Sequence, residues 1–367
     1  MVLLSKGTPT ASSSSCTWRV TVDWPTPSSR ATAERLPRSA TRTKVRIRSS
    51  EISDLSIFRH NVIRSPLVPD QSPFGYLLVH VSKAGENPMK ILIVYAHPEP
   101  RSLNAALRDV ATKALTAQGH DVQVSDLYAE GWKSQVDRAD FPSLATEERL
   151  VATAASKKDF EAGTLTEDVR VEIEKLLWAD ALILQFPLWW FSMPAILKGW
   201  VDRVFAYGFA YGVGEHSDRR WGDRYGEGTL AGKRAMLIVT AGGWEEHYGP
   251  RGINGPIDDL LFPINHGILY YPGYEVLPPF VIYRADRFDE CKFEPVAERL
   301  RERMQSLFSI PPIPYRPQNA GDYLIPSMQL RSELGEENAS GFSLHLDRDN
   351  ERRSLAGPGR NGTQNSG

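Results

Sequence analysis

From residue 89 onward the chain alternates short apolar runs with helical segments, and this alternation constrains the fold more than any other feature. "KILIVYA" (90–96) is a β-branched run with no polar alternation, the pattern of a strand covered on both faces. "SLNAALRDVATKALTAQG" (102–119) follows as an amphipathic helix, with Ser102 as its N-cap and Gly119 as its terminator. "DVQVSDLY" (121–128) reads as a second strand, and residues 130–163 as a polar insertion with one helical piece. In "TLTEDVRVEIEKLLWA" (164–179), Thr164 stands three residues before Glu167, a capping-box spacing, and Val169, Ile173, Leu176 and Leu177 form one stripe. "DALILQF" (180–186) is a third strand, "MPAILKGWVDRVFA" (193–206) a helix, and "GKRAMLIVTAGG" (232–243) a fourth strand. "GPIDDLLFPINHGILYY" (255–271) is mostly helical, "YEVLPPFVIY" (274–283) a fifth strand, and "FEPVAERLRERMQSLF" (293–308) a basic amphipathic helix. This order predicts an α/β fold: a doubly wound, five-stranded parallel sheet with helices on both faces. Such sheets bind ligands beyond the carboxyl ends of their strands, near a topological switch point.

The remainder of the chain is divided by composition. Residues 1–88 are rich in Ser, Thr, Arg and Pro, with 12 Lys and Arg against 6 Asp and Glu, and lack sustained periodicity. We expect a disordered extension there, of the kind left by a misassigned start ahead of Met89; the basic balance is also that of an organelle transit peptide. We expect one domain over 89–310, a C-terminal extension over 311–347 that packs on that domain or on a partner copy, and a disordered tail over 348–367. At 367 residues, with 41% apolar and 24% charged content, the chain can bury a sizeable core. A net charge of -2 offers no field to gather nucleic acid or an anionic membrane, and no run is long enough to cross a bilayer. Cys16 and Cys291 are too isolated to suggest a disulfide framework or a metal site, which fits a reducing, cytoplasmic setting.

Three strand-end loops carry chemistry. After the first strand, "AHPEPRSLNAAL" places His97, Ser102 and Asn104 at a helix start, where free backbone N–H groups, a hydroxyl and an amide make either an anion site or ordinary capping. After the third, Trp189, Trp190 and Phe191 stand in a row between Pro187 and Pro194. Three consecutive rings cannot all face one core, so at least one is presented to a planar ligand or a partner subunit. After the fourth, Thr240, Ala241, Gly242 and Gly243 allow close backbone approach to a ligand, with Tyr248 and Asn254 following as donors. There is no GxGxxG after the first strand and no GxxxxGK[ST] in the chain. "VYAHP" also lacks the acidic residues of a phosphorelay receiver.

In order, "YAHPEPRSLNAAL", "FPLWWFSMPAILKGWVDRVF", "TAGG" with "YGPRGINGP", and "FPINHGILYYPGYEVLPP" resemble the NAD(P)H:quinone oxidoreductases of the DT-diaphorase type, which are flavodoxin-like FAD enzymes. The resemblance spans residues 89–346, including the tail "SGFSLHL". It implies a homodimer with FAD at the subunit interface, reduced by NADPH or NADH and reoxidised by a quinone in a two-electron, ping-pong hydride transfer. By this resemblance His97, Ser102, Leu103 and Asn104 hold the pyrophosphate side of the cofactor. Pro187, Leu188, Trp189, Trp190 and Phe191, with Thr240, Ala241, Gly242, Gly243 and Tyr248, line its ring. Tyr248 and Asn254 are the catalytic residues, and Trp190, Phe191, Tyr211 and Tyr274 the substrate contacts. Trp189 stands where some members carry Gln, a departure that bears on a ring-edge hydrogen bond; Asn254 stands where the best-known member carries His, and an amide can donate a hydrogen bond there where a His could accept or share a proton.

Three other readings share these loops: an FMN-dependent azo- or nitro-reductase, a flavodoxin-type electron carrier without substrate turnover, and a regulatory subunit that keeps the fold for binding. FAD as the extracted flavin separates the first, and a stable one-electron state the second. Failure to oxidise NAD(P)H with any quinone marks the third.

Overall fold

In a computed structural model of the chain, residues 88–335 and 340–347 are described in full. Ahead of them only the backbones of five short strands are described (Val2–Leu3, Thr17–Val22, Ile57–Phe58, Val62–Ile63 and Val79–Ala84), paired into a small sheet of their own. The rest of the leading segment, and with it the expectation of a disordered or misassigned extension, lies outside the described residues, as do residues 348–367.

The main unit begins at Met89. Its strands are β1 (Lys90–Tyr95), β2 (Asp121–Asp126), β3 (Ala181–Pro187), β4 (Arg234–Thr240), β5 (Glu275–Val276) and β6 (Phe280–Ile282). All pair in parallel, in the order β2–β1–β3–β4, with β5 and β6 both on the far side of β4. This is the flavodoxin-like order, and its switch point falls between β1 and β3. Residues β5 and β6 belong to the single fifth strand expected at 274–283. Leu277, Pro278 and Pro279 interrupt it, because proline has no N–H to give the ladder.

The apolar runs in β1, β3 and β4, interrupted within β3 by Gln185, reflect cover on both faces. Leu92, Val94, Leu182, Leu184, Phe186, Leu237 and Val239 point into one core with Trp200 and Ile173. Their neighbours Ile91, Ile93, Ile183, Met236 and Ile238 point into the other with Leu107, Leu115 and Leu300. Helices α1 (Leu103–Ala117) and, at the chain's end, α6 (Phe293–Gln305) supply the second face. Between them in sequence come α2 (Ala152–Ala162), α3 (Glu167–Trp178), α4 (Ala195–Val204) and α5 (Ile257–Ile264), which runs on into a π-helical turn over Asn265–Tyr270.

Two local expectations are corrected. Helix α3 starts at Glu167 with Thr166 at its N-cap, while the Thr164 hydroxyl bonds the Asp159 carboxylate instead of capping. Leu177 is exposed, so the buried stripe is Val169, Ile173 and Leu176. The insertion is tied down by Arg203, buried in α4, whose guanidinium pairs with Asp140 at 2.8 Å and Asp168 at 2.6 Å. The C-terminal extension lies over α5: Phe342 stacks on Phe262 at 4.2 Å, and Arg316 holds the backbone of Leu344 and His345.

Candidate active site

The loop after β1 enters α1 through Ser102, whose hydroxyl accepts the Ala105 N–H at 3.2 Å. Capping uses that hydroxyl, and it leaves the N–H groups of Leu103 and Asn104 at the open end of the helix. His97 is half-buried upstream, its Nδ1 accepting the Glu99 N–H at 3.1 Å. Asn104 does not offer its side chain outward. It is 5% exposed, and its Nδ2 donates to Thr240 Oγ1 at 2.9 Å. Asn104 and Thr240 therefore lock two strand-end loops together, and what this loop presents outward is backbone N–H.

Pro187 closes β3 inside the core, and the Leu188 N–H donates to Thr240 O at 2.8 Å. Trp189 and Ser192 then exchange both backbone hydrogen bonds, at 3.0 and 3.1 Å, around a two-residue turn. Its central residues, Trp190 (φ 50°) and Phe191 (φ 62°), both lie in the left-handed region, as a type I′ turn requires. Asn and Gly belong at such positions, and bulky aromatics cost strain there. The turn lifts Trp190 out of the fold until it is 95% exposed, with Trp189 and Phe191 each a little under half exposed. The Trp189 ring lies 6.1 Å from that of His97, which joins the first two loops.

After β4, Thr240 and Ala241 are buried, and the Ala241 N–H donates to Ile282 O at 2.8 Å. Gly243 O accepts the Arg284 N–H at 2.9 Å, whereas neither the Gly242 nor the Gly243 N–H has an acceptor among the described residues. Tyr248 ends a short 3-10 turn (Glu245–Tyr248) and is folded back over Gly243, buried against Tyr283 at 5.6 Å. Asn254 is half-buried, fixed by its N–H to His247 O at 3.0 Å, and its side-chain amide makes no hydrogen bond among the described residues. Free N–H groups, exposed rings and an uncommitted amide at the carboxyl ends of β3 and β4, with a helix start beside them, fit a flat heterocycle carrying a phosphate tail.

Comparison with known proteins gives the family. The sequence profile for the flavodoxin-like fold matches residues 89–307. A ribosyldihydronicotinamide dehydrogenase-like protein of Penicillium crustosum is 61% identical over 257 residues, which are 70% of this chain and 95% of that protein. The human ribosyldihydronicotinamide dehydrogenase [quinone] is 38% identical over 226 residues, 61% of this chain and 94% of that one. A solved structure from Klebsiella pneumoniae, provisionally named a quinone reductase, superposes with a TM-score of 0.69 at 62% identity, covering 70% of this chain and 99% of its own. The chain belongs to the flavodoxin-like quinone oxidoreductase family.

In this oxidoreductase two candidate residues, Tyr211 and Tyr274, remain to be placed. Tyr211 is half-buried, edge-on to Tyr207 at 5.1 Å, and lines a cavity of about 80 Å³ with Ser156, Asp202 and Arg203. Burial, with Tyr207 and Tyr271 nearby, holds its hydroxyl above the usual phenol range. Tyr274 is 1% exposed in the core with its hydroxyl unpartnered, and burial raises its pKa strongly. Packing is the role its position supports, in place of the substrate contact expected of it.

Two residues at the site were not singled out by sequence reasoning. Arg284 (φ 58°) follows β6 and lays its guanidinium 3.9 Å over Trp244, at the rim of the paired-glycine turn. Gln185, fully buried in β3, donates from Nε2 to Asn104 O at 2.6 Å. A lone amide inside "ALILQFP" was the available signal for Gln185; nothing in the sequence marks Arg284. Among the described residues no group of His, Cys, Asp and Glu is arranged to hold a metal, and no helix is long and apolar enough to cross a membrane.

Proposed function

We propose that this protein reduces quinones by two electrons at the expense of NADPH or NADH, with FAD as its bound flavin and a homodimer as its working form. One observation carries the reading: the strained turn that holds Trp190 almost wholly in solvent stands beside the uncapped N–H groups of Gly242 and Gly243. A fold does not spend backbone strain on exposing an indole without a guest for it. FAD, when bound, supplies the electron-pair store that takes hydride from the nicotinamide and passes it to the quinone in a ping-pong cycle.

The chain's own residues bind and orient. The N–H groups of Leu103 and Asn104 hold phosphate oxygens at the start of α1, with His97 and the Ser102 cap shaping that end. Trp189, Trp190 and Phe191 wall the ring site, and the N–H groups of Gly242 and Gly243 donate to ring-edge acceptors. The Tyr248 hydroxyl and the Asn254 amide stabilise the negative charge that a hydride brings; Asn254 donates a hydrogen bond there and takes up no proton. Trp190 and Phe191 offer the planar surface on which a quinone stacks, and Tyr211 belongs to that reading only if a second subunit brings it alongside. Exposed Trp190, Trp244 and the 92% exposed Ile253 crowd one end of the sheet, which supports a partner copy over it. An exposed, free Cys291 is consistent with a cytoplasmic setting.

The test is to release the flavin from purified protein, identify it by chromatography, and follow oxidation of NADPH, NADH and ribosyldihydronicotinamide with a short-chain quinone. FAD, turnover with parallel double-reciprocal plots, and a dimer in sedimentation are expected. FMN alone moves the protein to the azo- and nitro-reductase reading. Protein that stays colourless with excess FAD and FMN overturns the proposal.

A further inference from the structure

Gln185 is the only polar residue in β3 and is 0% exposed. An amide buried without hydrogen bonds costs several kcal/mol, about 2–7 by transfer measurements, so its presence in an otherwise apolar strand calls for a partner. That partner is the first turn of α1. Gln185 Nε2 donates to Asn104 O at 2.6 Å, and Asn104 Nδ2 donates in turn to Thr240 Oγ1 at 2.9 Å. The three side chains, each at least 95% buried, tie the start of α1 to the ends of both β3 and β4. Within this network Gln185 Oε1 and Asn104 Oδ1 are buried with no hydrogen-bond partner among the described residues.

The backbone of Gln185 needs none of these contacts to stay in place. Its carbonyl accepts the Ala96 N–H at 3.0 Å, and its ladder to Ile238 runs on to Pro187 and Thr240. The side chain is therefore free to act on α1 alone. We propose that Gln185 is a positioning residue for phosphate recognition: by gripping the Asn104 carbonyl it aims the free N–H groups of Leu103 and Asn104 at the pyrophosphate of the bound flavin. This rests on the flavin reading above. Helix-start N–H groups bind anions only where they converge, and α1 has no acidic or basic residue in its first turn to correct a misaligned end.

The experiment compares FAD with riboflavin, which carries the same ring and no phosphate. Dissociation constants for both are read from flavin fluorescence on apoprotein of the wild type, Gln185→Met and Thr240→Val, the last cutting the same chain at its other end. Gln185→Met should weaken FAD about five- to tenfold, roughly the worth of one buried hydrogen bond, and leave riboflavin within twofold. Thr240→Val should weaken FAD by a similar factor, and the double variant should lose less FAD affinity than the product of the two, because both act through Asn104. Equal loss for FAD and riboflavin, or no loss for FAD, overturns the proposal. A thermal melt of each apoprotein guards against misfolding, and if Gln185→Met does not fold, Gln185→Leu, which also removes the amide, decides in its place. Wild-type protein that binds neither flavin instead overturns the proposed function.

Discussion

The ring of Tyr248 lies so close over Gly243 that a Cβ built there would come within 2.9 Å of Tyr248 Cε2. The glycine is required for this contact and not for its backbone angles, since its φ lies outside the left-handed region. Gly243→Ala should therefore push Tyr248 off the paired-glycine turn. Overpacking of this kind costs about 1–3 kcal/mol. We expect a lower urea midpoint together with a fall in quinone turnover of about tenfold; unchanged turnover would mean that the position of Tyr248 is irrelevant to the chemistry.

Removing only the hydroxyl asks a narrower question. Tyr248→Phe keeps the packing against Tyr283 and deletes a donor. Bleaching of the flavin band by NADPH in stopped flow should slow by about tenfold or more, in line with the loss of one charge-stabilising donor. An unaltered rate would remove Tyr248 from the reductive half-reaction.

The turn at Trp190 and Phe191 sets stability against function. Both residues hold positive φ, and relief of such strain is worth roughly 1–3 kcal/mol for each. Trp190→Asn combined with Phe191→Gly supplies the residues a type I′ turn prefers. The pair should raise the denaturation midpoint while weakening flavin binding and raising the quinone KM. A variant that gains stability and keeps full activity would show that the two rings serve no ligand.

How much of this was legible in the sequence follows from where each restraint comes from. Strands β1, β3 and β4 and the helices between them announce themselves, because burial on both faces demands runs that are almost wholly apolar. The break between β5 and β6 was visible as Pro278 and Pro279, yet the strand pattern around them hid it. Thr164 had capping-box spacing but found a nearer partner in Asp159, a choice that depends on the fold of the insertion. The loops bearing His97, Trp189 to Phe191, and Gly242 could be placed at strand ends from order alone. Their internal geometry could not, since Trp and Phe are poor predictors of a type I′ turn. The link from Gln185 to Asn104 spans 81 positions and exists only once the sheet is assembled.

His266 makes stability depend on pH. Its ring is stacked between Phe262 at 4.5 Å and Tyr225 at 4.7 Å, and burial, with His345 adding to it, lowers its pKa from 6.5 to about 4. Burial and Arg316 lower that of His345 as well. A folded-state value below the unfolded one means that the unfolded chain takes up the proton first. Stability from this group is thus full above about pH 6.5 and is lost as the pH falls toward 4. Urea midpoints measured at pH 7.5, 6 and 5 should fall steadily, and His266→Phe should flatten that slope, leaving the part due to His345. A slope identical in both proteins would assign the effect elsewhere.

Tyr274 separates packing from substrate contact. Its ring fills the core beside β5, and its hydroxyl, fully enclosed, has no partner among the described residues. An unsatisfied buried hydroxyl costs about 1–3 kcal/mol, so Tyr274→Phe removes a penalty and keeps the volume. The denaturation midpoint should rise or hold, and KM and kcat for quinone should stay within twofold. If Tyr274 instead touched the quinone through its hydroxyl, KM would climb while stability stayed the same. A raised KM with an unmoved midpoint would return this residue to the substrate site and imply that the core opens there during turnover.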